Sequence, residues 1–141
     1  MGLLQDSDVA EIRERLKGLT NSVKLVHFTQ DLNLEYGREA RQLLEELTQI
    51  SNKISLETHD FLIDKEKVAE YAVDKVPATV IRNGKDYGIR FYGLPAGYEF
   101  AALLDAILDV STGDSGLQPA SREKLAQLTK PLHLQVFTTP T

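Results

Sequence analysis

Apolar residues recur along this chain with two different periods, and together these periods predict alternating helices and strands. Spacings of three and four residues predict helices over residues 7–17, 35–50, 65–73 and 98–112. Short apolar or alternating runs predict strands over residues 23–29, 54–61, 77–83 and 89–93. This order predicts a four-stranded mixed α/β sheet flanked by helices, with the first two strands parallel and the last two antiparallel.

Polar residues and glycine mark the ends of these elements. Asp6 or Ser7 is expected to cap the first helix, and Asp64 the third. Gly113 follows the last periodic residues of the fourth helix, where a C-terminal cap glycine belongs. Residues 114–120 contain Gly, Ser and Pro, so we expect them to form a linker.

The stretch after the linker repeats the beginning of the chain. Residues 122–138 align without a gap to residues 13–29 and share 8 of 17 residues at a constant offset of 109. Both stretches place a helix before a strand, so a duplication explains the match better than two unrelated amphipathic segments. We therefore expect a first unit at 1–113, a linker at 114–120, and at 121–141 the first helix and strand of a second unit that continues beyond residue 141.

Composition narrows the class of protein. Hydrophobic residues make up 42% and charged residues 26% of the 141 residues, which is typical of a packed domain rather than a disordered chain. The net charge is −5 and the basic residues form no cluster, which argues against a nucleic-acid partner. No apolar run approaches the roughly 20 residues that a membrane helix needs. We expect a soluble, cytoplasmic protein with no membrane partner.

The chain has no cysteine, and this absence decides much of its chemistry. Disulfides, zinc–thiolate sites and thiol catalysis by this chain alone are excluded. The three histidines, His27, His59 and His133, are far apart and have no metal-ligand spacing. We therefore expect no metal and no cofactor.

Three stretches stand where a fold of this order places a site. The loop at 29–40 follows the first strand and enters a helix, whose N-terminus favours anions. A solvated helix start is the favoured interpretation of it. Val76–Pro77 precedes the third strand, and local propensity favours a trans bond there. Gly93, in the third stretch (residues 91–100), lies in a strand-to-helix turn that is expected to line a groove beside Pro77.

These stretches together resemble a known family. The segments VPATVIRNGKDYGIRFYG, FYGLPAGYEFAALLDAILDVS and the terminal VFTTPT are similar to the protein disulfide oxidoreductases of thermophiles. Those are glutaredoxin-like proteins with two tandem thioredoxin folds. The resemblance implies a thioredoxin fold here, a parent disulfide oxidoreductase, and a Cys-x-x-Cys motif directly after the last strand.

The resemblance also assigns site positions. It places the family's Cys-x-x-Cys motif on LEYG, with Leu34 and Gly37 in the cysteine positions, so the first unit is expected to be redox-inactive. It matches Pro77 to the family's cis-proline, which implies a cis bond after Val76. A peptide groove at Tyr36, Val76, Pro77 and Gly93 is expected to be retained although the cysteines are absent, and to bind substrate proteins.

Several alternatives remain open. The N-terminal part of the alkyl hydroperoxide reductase flavoprotein has a similar architecture and ranks second; a thioredoxin reductase-like enzyme belongs to the same alternative. A stand-alone module that dimerises through residues 121–141 is a third hypothesis. Non-thiol catalysis is disfavoured, because no nucleophile and base are paired among its candidate residues Tyr36, Glu35, Arg38, His27 and His59. Absent Cys and Trp and many charged residues agree with a thermophilic source.

Overall fold

The computed structural model describes residues 2–30 and 35–139. Its helices and strands follow the predicted order, including a helix near the start of the repeated segment. They are α1 (Asp6–Leu16), β1 (Val23–Thr29), α2 (Glu35–Ile50), β2 (Ile54–Asp60), α3 (Lys65–Glu70), β3 (Ala78–Arg82), β4 (Asp86–Tyr92), α4 (Tyr98–Thr112) and α5 (Pro119–Ala126).

The four strands form one mixed sheet in the order β2-β1-β3-β4. β1 and β2 are parallel, whereas β3 is antiparallel to both β1 and β4. The predicted fold class is confirmed in its strand number and strand directions. Because β1 is central, its carboxyl end meets the amino end of β3, where Phe28 pairs with Ala78. The site is built at this edge of the sheet.

Each face of the sheet is covered by its own apolar cluster. On one face, Val23 and Leu25 of β1 pack with buried residues of α1, α2 and α4. On the other face, Val26 and Phe28 pack with Tyr71, which follows α3. Successive strand residues point to opposite faces, so the apolar run of β1 fills both clusters.

The residues at the helix ends can be compared with the predicted caps. Gly113 caps α4 with a positive φ of 69°, as expected of a C-terminal glycine. Two of the predicted N-terminal caps are corrected. Gln5 rather than Asp6 or Ser7 precedes α1, and its N–H donates to Asp8. Asp64 does occupy the N-cap position of α3, but its carboxylate makes no capping hydrogen bond and accepts the backbone N–H of Asp60 instead.

The C-terminal segment departs from the sequence prediction. α5 begins at Pro119, inside the predicted linker, because proline suits the first helical turn. The strand predicted at 132–138 is not formed: this stretch has no regular secondary structure and is exposed. A strand forms only when another backbone pairs with it, and within the described part of the chain no strand pairs with residues 132–138.

A helix that crosses a bilayer must be both long and apolar. Within residues 2–30 and 35–139, none is both long and apolar enough to span a membrane.

Candidate functional site

The turn before β3 and the turn after β4 are joined at one end of the sheet. The Val76–Pro77 peptide bond is cis, as the resemblance implied and against local propensity. The N–H of Gly93 donates to the carbonyl of Pro77 at 2.8 Å. The ammonium of Lys75 lies 4.7 Å from the centre of the Tyr92 ring. The structure therefore brings Val76, Pro77 and Gly93 together, as the sequence predicted.

Gly93 leaves this surface open. Its φ is 89°, a conformation that residues with a side chain rarely adopt. A Cβ built on it would meet no atom within 4 Å. Backbone conformation rather than close packing therefore favours glycine here; Gly93 is partly exposed, whereas Pro77 is buried.

Gly37, one of the two positions matched to the family's cysteines, lies in the first turn of α2. Gly37 is buried in this turn, and Leu34 lies outside the described residues. The Tyr36 side chain is 64% exposed. Since Gly37 has no side chain, its position contributes no reacting group. The peptide groove at Tyr36, Val76, Pro77 and Gly93 stays a prediction.

A polar cleft opens between the end of β1 and the outer side of α2. It has a volume of about 370 Å³, and Thr29, Gln30, Gly37, Arg38 and Arg41 are among its lining residues. The sequence hypotheses named Arg38 but missed Gln30 and Arg41. The spacing of Arg38 and Arg41, three residues apart on one helix face, was the available signal.

His27 is fully buried beneath α2. Its Nδ1 lies 3.1 Å from the hydroxyl of Thr79 on β3, and its Nε2 has no hydrogen-bond partner within the described part of the chain. Loss of hydration, with a smaller contribution from the positive charge of Arg41, lowers the pKa of His27 to about 4. The ring is therefore neutral at pH 7.

Smaller effects oppose this lowering of the His27 pKa, and the groups that cause them show where the imidazole ring lies. The backbone groups of Ala78 and Gly37, and the carboxylate of Glu45, each act to raise the pKa of His27. The imidazole thus lies between the start of β3 and the first turn of α2. It is a neutral interior group, so the hypothesis of a surface catalytic role for His27 lacks structural support.

His59 lies on the opposite face of the sheet from His27. Its Nε2 is 2.6 Å from Glu57 Oε1 and its Nδ1 is 3.5 Å from Asp64 Oδ2. Its ring centre is 5.4 Å from that of Phe28. Phe28 belongs to the apolar cluster on the α3 side of the sheet, with Val26 and Tyr71, which we call the α3-side cluster. Contact with His59 lowers the pKa of Glu57. The structure therefore does not bring His27 and His59 together.

Acidic and imidazole side chains are the groups of this chain that could ligate a metal ion. Across residues 2–30 and 35–139, no three of them converge in a way that could hold a metal ion. Because the chain also lacks cysteine, it has no thiol active site. The one hydroxyl–imidazole pair described above, Thr79 with His27, is fully buried.

One curated relative aligns with this chain over most of its length, and another aligns over about half of it. No known family model matches it. The alkyl hydroperoxide reductase protein AhpF of Staphylococcus aureus is 29% identical over 135 residues, covering 91% of this chain and 24% of the relative. The AhpF protein of Xanthomonas campestris is 40% identical over 73 residues, covering 52% of this chain and 12% of the relative. The chain thus spans about a quarter or less of the length of these relatives.

Solved structures extend the similarity to the fold. The alkylhydroperoxide reductase protein AhpF of Enterococcus faecalis matches with a TM-score of 0.80 at 26% identity, covering 90% of this chain and 62% of that one. A protein disulfide oxidoreductase from Aeropyrum pernix matches with a TM-score of 0.78 at 27% identity, covering 88% and 55%. The two fit about equally well, so the lower rank given to the hydroperoxide reductase flavoprotein is not supported.

Thioredoxins themselves match at lower identity. The thioredoxin of Halobacterium salinarum has a TM-score of 0.52 at 18% identity, which bears on the fold alone. The chain is therefore a cysteine-free thioredoxin-fold unit, similar in sequence and structure to the AhpF protein of alkyl hydroperoxide reductase and to a protein disulfide oxidoreductase.

Proposed function

We propose that this chain is a redox-inactive thioredoxin-fold unit that supports thiol–disulfide exchange by a second, cysteine-bearing unit of the same protein. One observation carries the proposal: the chain keeps the fold and the cis Val76–Pro77 turn of such proteins but has no cysteine. Without a thiolate it cannot attack a disulfide. Its contribution is then to bind and position rather than to react.

The binding surface of this proposal is the turn region beside Pro77. The carbonyl of Pro77 accepts the N–H of Gly93, and the proposal assigns the contact with a peptide to the backbone of Val76, a partly exposed residue. The exposed Tyr36 ring adds an aromatic contact. An extended segment of a substrate protein, bound through its backbone, fits this chemistry. The cellular setting proposed is the cytoplasm of a thermophile, where disulfide chemistry on cytosolic proteins is common.

The extent of the structural matches supports a second unit. The first unit, residues 1–113, makes up about 80% of the chain, whereas the Enterococcus match covers 90%. That match must therefore extend into residues 114–141. The 8 identities at an offset of 109 are the reason to propose that the segment after the linker begins a repeated unit.

The gene tests this proposal. We expect the reading frame beyond codon 141 to encode a Cys-x-x-Cys within a few residues, and the protein isolated from source cells to have a mass well above 15.7 kDa. Its disulfide-reducing activity should be lost after alkylation of its cysteines, because those thiols would be its reacting groups. A stop codon directly after Thr141 would refute the proposal.

The curated relatives favour a second candidate, the N-terminal part of a hydroperoxide-reducing flavoprotein. Its support is the 29% identity to the AhpF protein of alkyl hydroperoxide reductase across 91% of the chain. The same purified protein discriminates the two. A bound flavin, seen as visible absorbance that follows the protein through gel filtration, would favour the flavoprotein. A flavin-free protein with protein-disulfide reductase activity would favour the two-unit oxidoreductase.

A third candidate is association through the C-terminal segment, as in a homodimer. Its large apolar side chains are more than half exposed: Leu125, Leu128, Leu132, Leu134, Val136 and Phe137. Such a strip is typical of a surface that another chain covers.

We expect the 141-residue chain to associate, and we expect removal of residues 117–141 to lower its association state, measured by light scattering as the ratio of the observed mass to the monomer mass. The reason is that the deletion removes this apolar strip. A variant with Leu134 and Phe137 both changed to Ser keeps the chain length and should show the same loss. Equal association states for all three proteins at matched concentration would rule out association through this segment.

A further inference from the structure

His59, near the end of β2, lies between two carboxylates that belong to different elements. Its Nε2 is 2.6 Å from Oε1 of Glu57, which is on the same strand. Its Nδ1 is 3.5 Å from Oδ2 of Asp64, the N-cap residue of α3. The first distance is that of a short hydrogen bond, whereas the second is longer than a hydrogen bond should be. The imidazole is therefore bonded to its own strand and only approaches the start of α3.

The protonation state of Glu57 decides which ring nitrogen of His59 carries the hydrogen. Contact with His59 and with Lys24 lowers the pKa of Glu57, so its carboxylate stays ionised near neutral pH. An ionised carboxylate can only accept hydrogen bonds, so the Nε2 that faces it carries the N–H. In the neutral ring, Nδ1 is then a lone pair, and it faces the carboxylate of Asp64.

A proton on His59 reverses this second contact. The lone pair of Nδ1 and the Asp64 carboxylate repel each other, whereas a protonated imidazole donates from both nitrogens and carries a positive charge. The charge on His59 thus decides whether the end of β2 and the start of α3 repel or attract each other.

The carboxylate of Asp64 also closes the turn that leads into α3. Its Oδ2 accepts the N–H of Asp60 at 2.7 Å. Oδ1 of Asp60 in turn accepts the N–H groups of Leu62 and Ile63, at 2.7 and 3.0 Å. The side chains of Leu62 and Ile63 are 48% and 78% exposed. Residues 60–64, which we call the α3 turn, therefore present two large apolar side chains to solvent.

We propose that His59 is a pH-sensitive switch: its protonation draws the Asp64 carboxylate onto Nδ1 and tightens the α3 turn, with its exposed Leu62 and Ile63. The imidazole has little room to move, because its side chain is 15% exposed and its ring lies beside that of the buried Phe28. Asp64 is more exposed, so it is the partner that moves. The inference uses only contacts within the described unit and does not rest on the proposed function.

The other charged groups around the switch leave this contact to His59. They are Lys24 of β1, Glu57 of β2, Asp60 of the α3 turn and Lys67 of α3. Lys24 lies 3.0 Å from Oε2 of Glu57, which leaves Oε1 to the imidazole. Lys67 pairs with Glu70 at 2.7 Å. Within residues 2–30 and 35–139, no lysine or arginine pairs with the carboxylate of Asp64.

NMR spectra recorded between pH 8 and pH 5.5 test the switch, because imidazoles change charge in this window while ordinary carboxylates stay ionised. We expect the amide signals of Asp60, Leu62 and Ile63 to shift with the same midpoint as the ring signals of His59. Asp64→Asn keeps an oxygen for the N–H of Asp60 but removes the charge. These amides should then no longer follow the ring.

Two histidine variants separate this response from other titrations. His59→Gln should abolish the shifts of the α3 turn. His133→Gln is the matched control and should leave them unchanged, because His133 is exposed in the irregular stretch at residues 132–138. His27 stays neutral over this window, since its pKa is about 4. A response that persists in His59→Gln, or amides that stay still while the His59 ring titrates, would overturn the switch.

Urea unfolding gives an independent measure that does not depend on signal positions. In a double-mutant cycle of His59→Gln and Asp64→Asn, we expect the coupling to change the unfolding equilibrium constant by about three- to fivefold at pH 5.5. At pH 8 the same coupling should fall below about 1.5-fold, because the neutral ring has no charge to pair. Equal coupling at the two pH values would mean that the contact is independent of the charge, and this would also overturn the proposal.

Discussion

Acidification from pH 7 to pH 4 is expected to destabilise this protein by about 3 kcal/mol through His27 alone. The imidazole is fully buried, and its pKa falls from the ordinary 6.5 to about 4 on folding. Between these two values the unfolded chain binds the proton and the folded chain does not. The stabilisation is therefore complete above pH 6.5 and is lost as the pH falls toward 4.

Urea unfolding between pH 7.5 and 4 measures this effect. His27→Gln removes the titrating group while keeping a polar side chain near Thr79, so its stability should depend less steeply on pH over this window. Carboxylates with lowered pKa values, such as Glu57 and Asp86, also lose stabilisation in acid, but they are present in both proteins. Parallel pH profiles for the two proteins would contradict the assignment to His27.

Phe28→Ala is expected to cost about 3–5 kcal/mol of unfolding free energy, which is enough to unfold a marginal domain. The Phe28 side chain is fully buried at the centre of the α3-side cluster. Its ring lies 5.4 Å from that of His59 and 5.8 Å from that of Tyr71, centre to centre. Truncation removes these contacts and leaves a cavity under α3.

The repeat provides a matched control. Phe137 occupies the position equivalent to Phe28 at the offset of 109, yet it is 90% exposed. Phe137→Ala should change the unfolding free energy by no more than about 0.5 kcal/mol. Chemical denaturation of both variants, followed by circular dichroism, tests the pair. Similar costs at the two positions would show that residues 132–138 are packed in solution, contrary to the structure.

The candidate site was predictable where chain order alone brings residues together. A hairpin places the end of β4 beside the start of β3, so Gly93 and Pro77 were expected to meet, and they share a hydrogen bond. The cleft at α2 was anticipated only in part. Arg41 is the first residue after the stretch considered (29–40), and only the packing of α2 beside the end of β1 places it in one cleft with Gln30.

His27 shows a second limit. The run VKLVHFT predicted a strand in a sheet flanked by helices, but it did not show which helix covers the face that carries His27. Without that knowledge a histidine in a strand remains a candidate catalytic group. The packing of α2 over β1 is what removes it from water.

Sequence by itself determined the regular elements of the first unit. Hydrophobic periods predicted β1 at 23–29, α2 at 35–50 and the start of α4 at Tyr98, because apolar side chains must share one face or alternate whatever the rest of the chain does. It also determined that no thiol chemistry occurs here. Only the tertiary structure showed that Phe28 is buried and Phe137 is exposed. Their local sequences are alike, but a strand is formed by backbone partners far away in the chain. β1 has such strands on both sides, while no strand among the described residues pairs with 132–138.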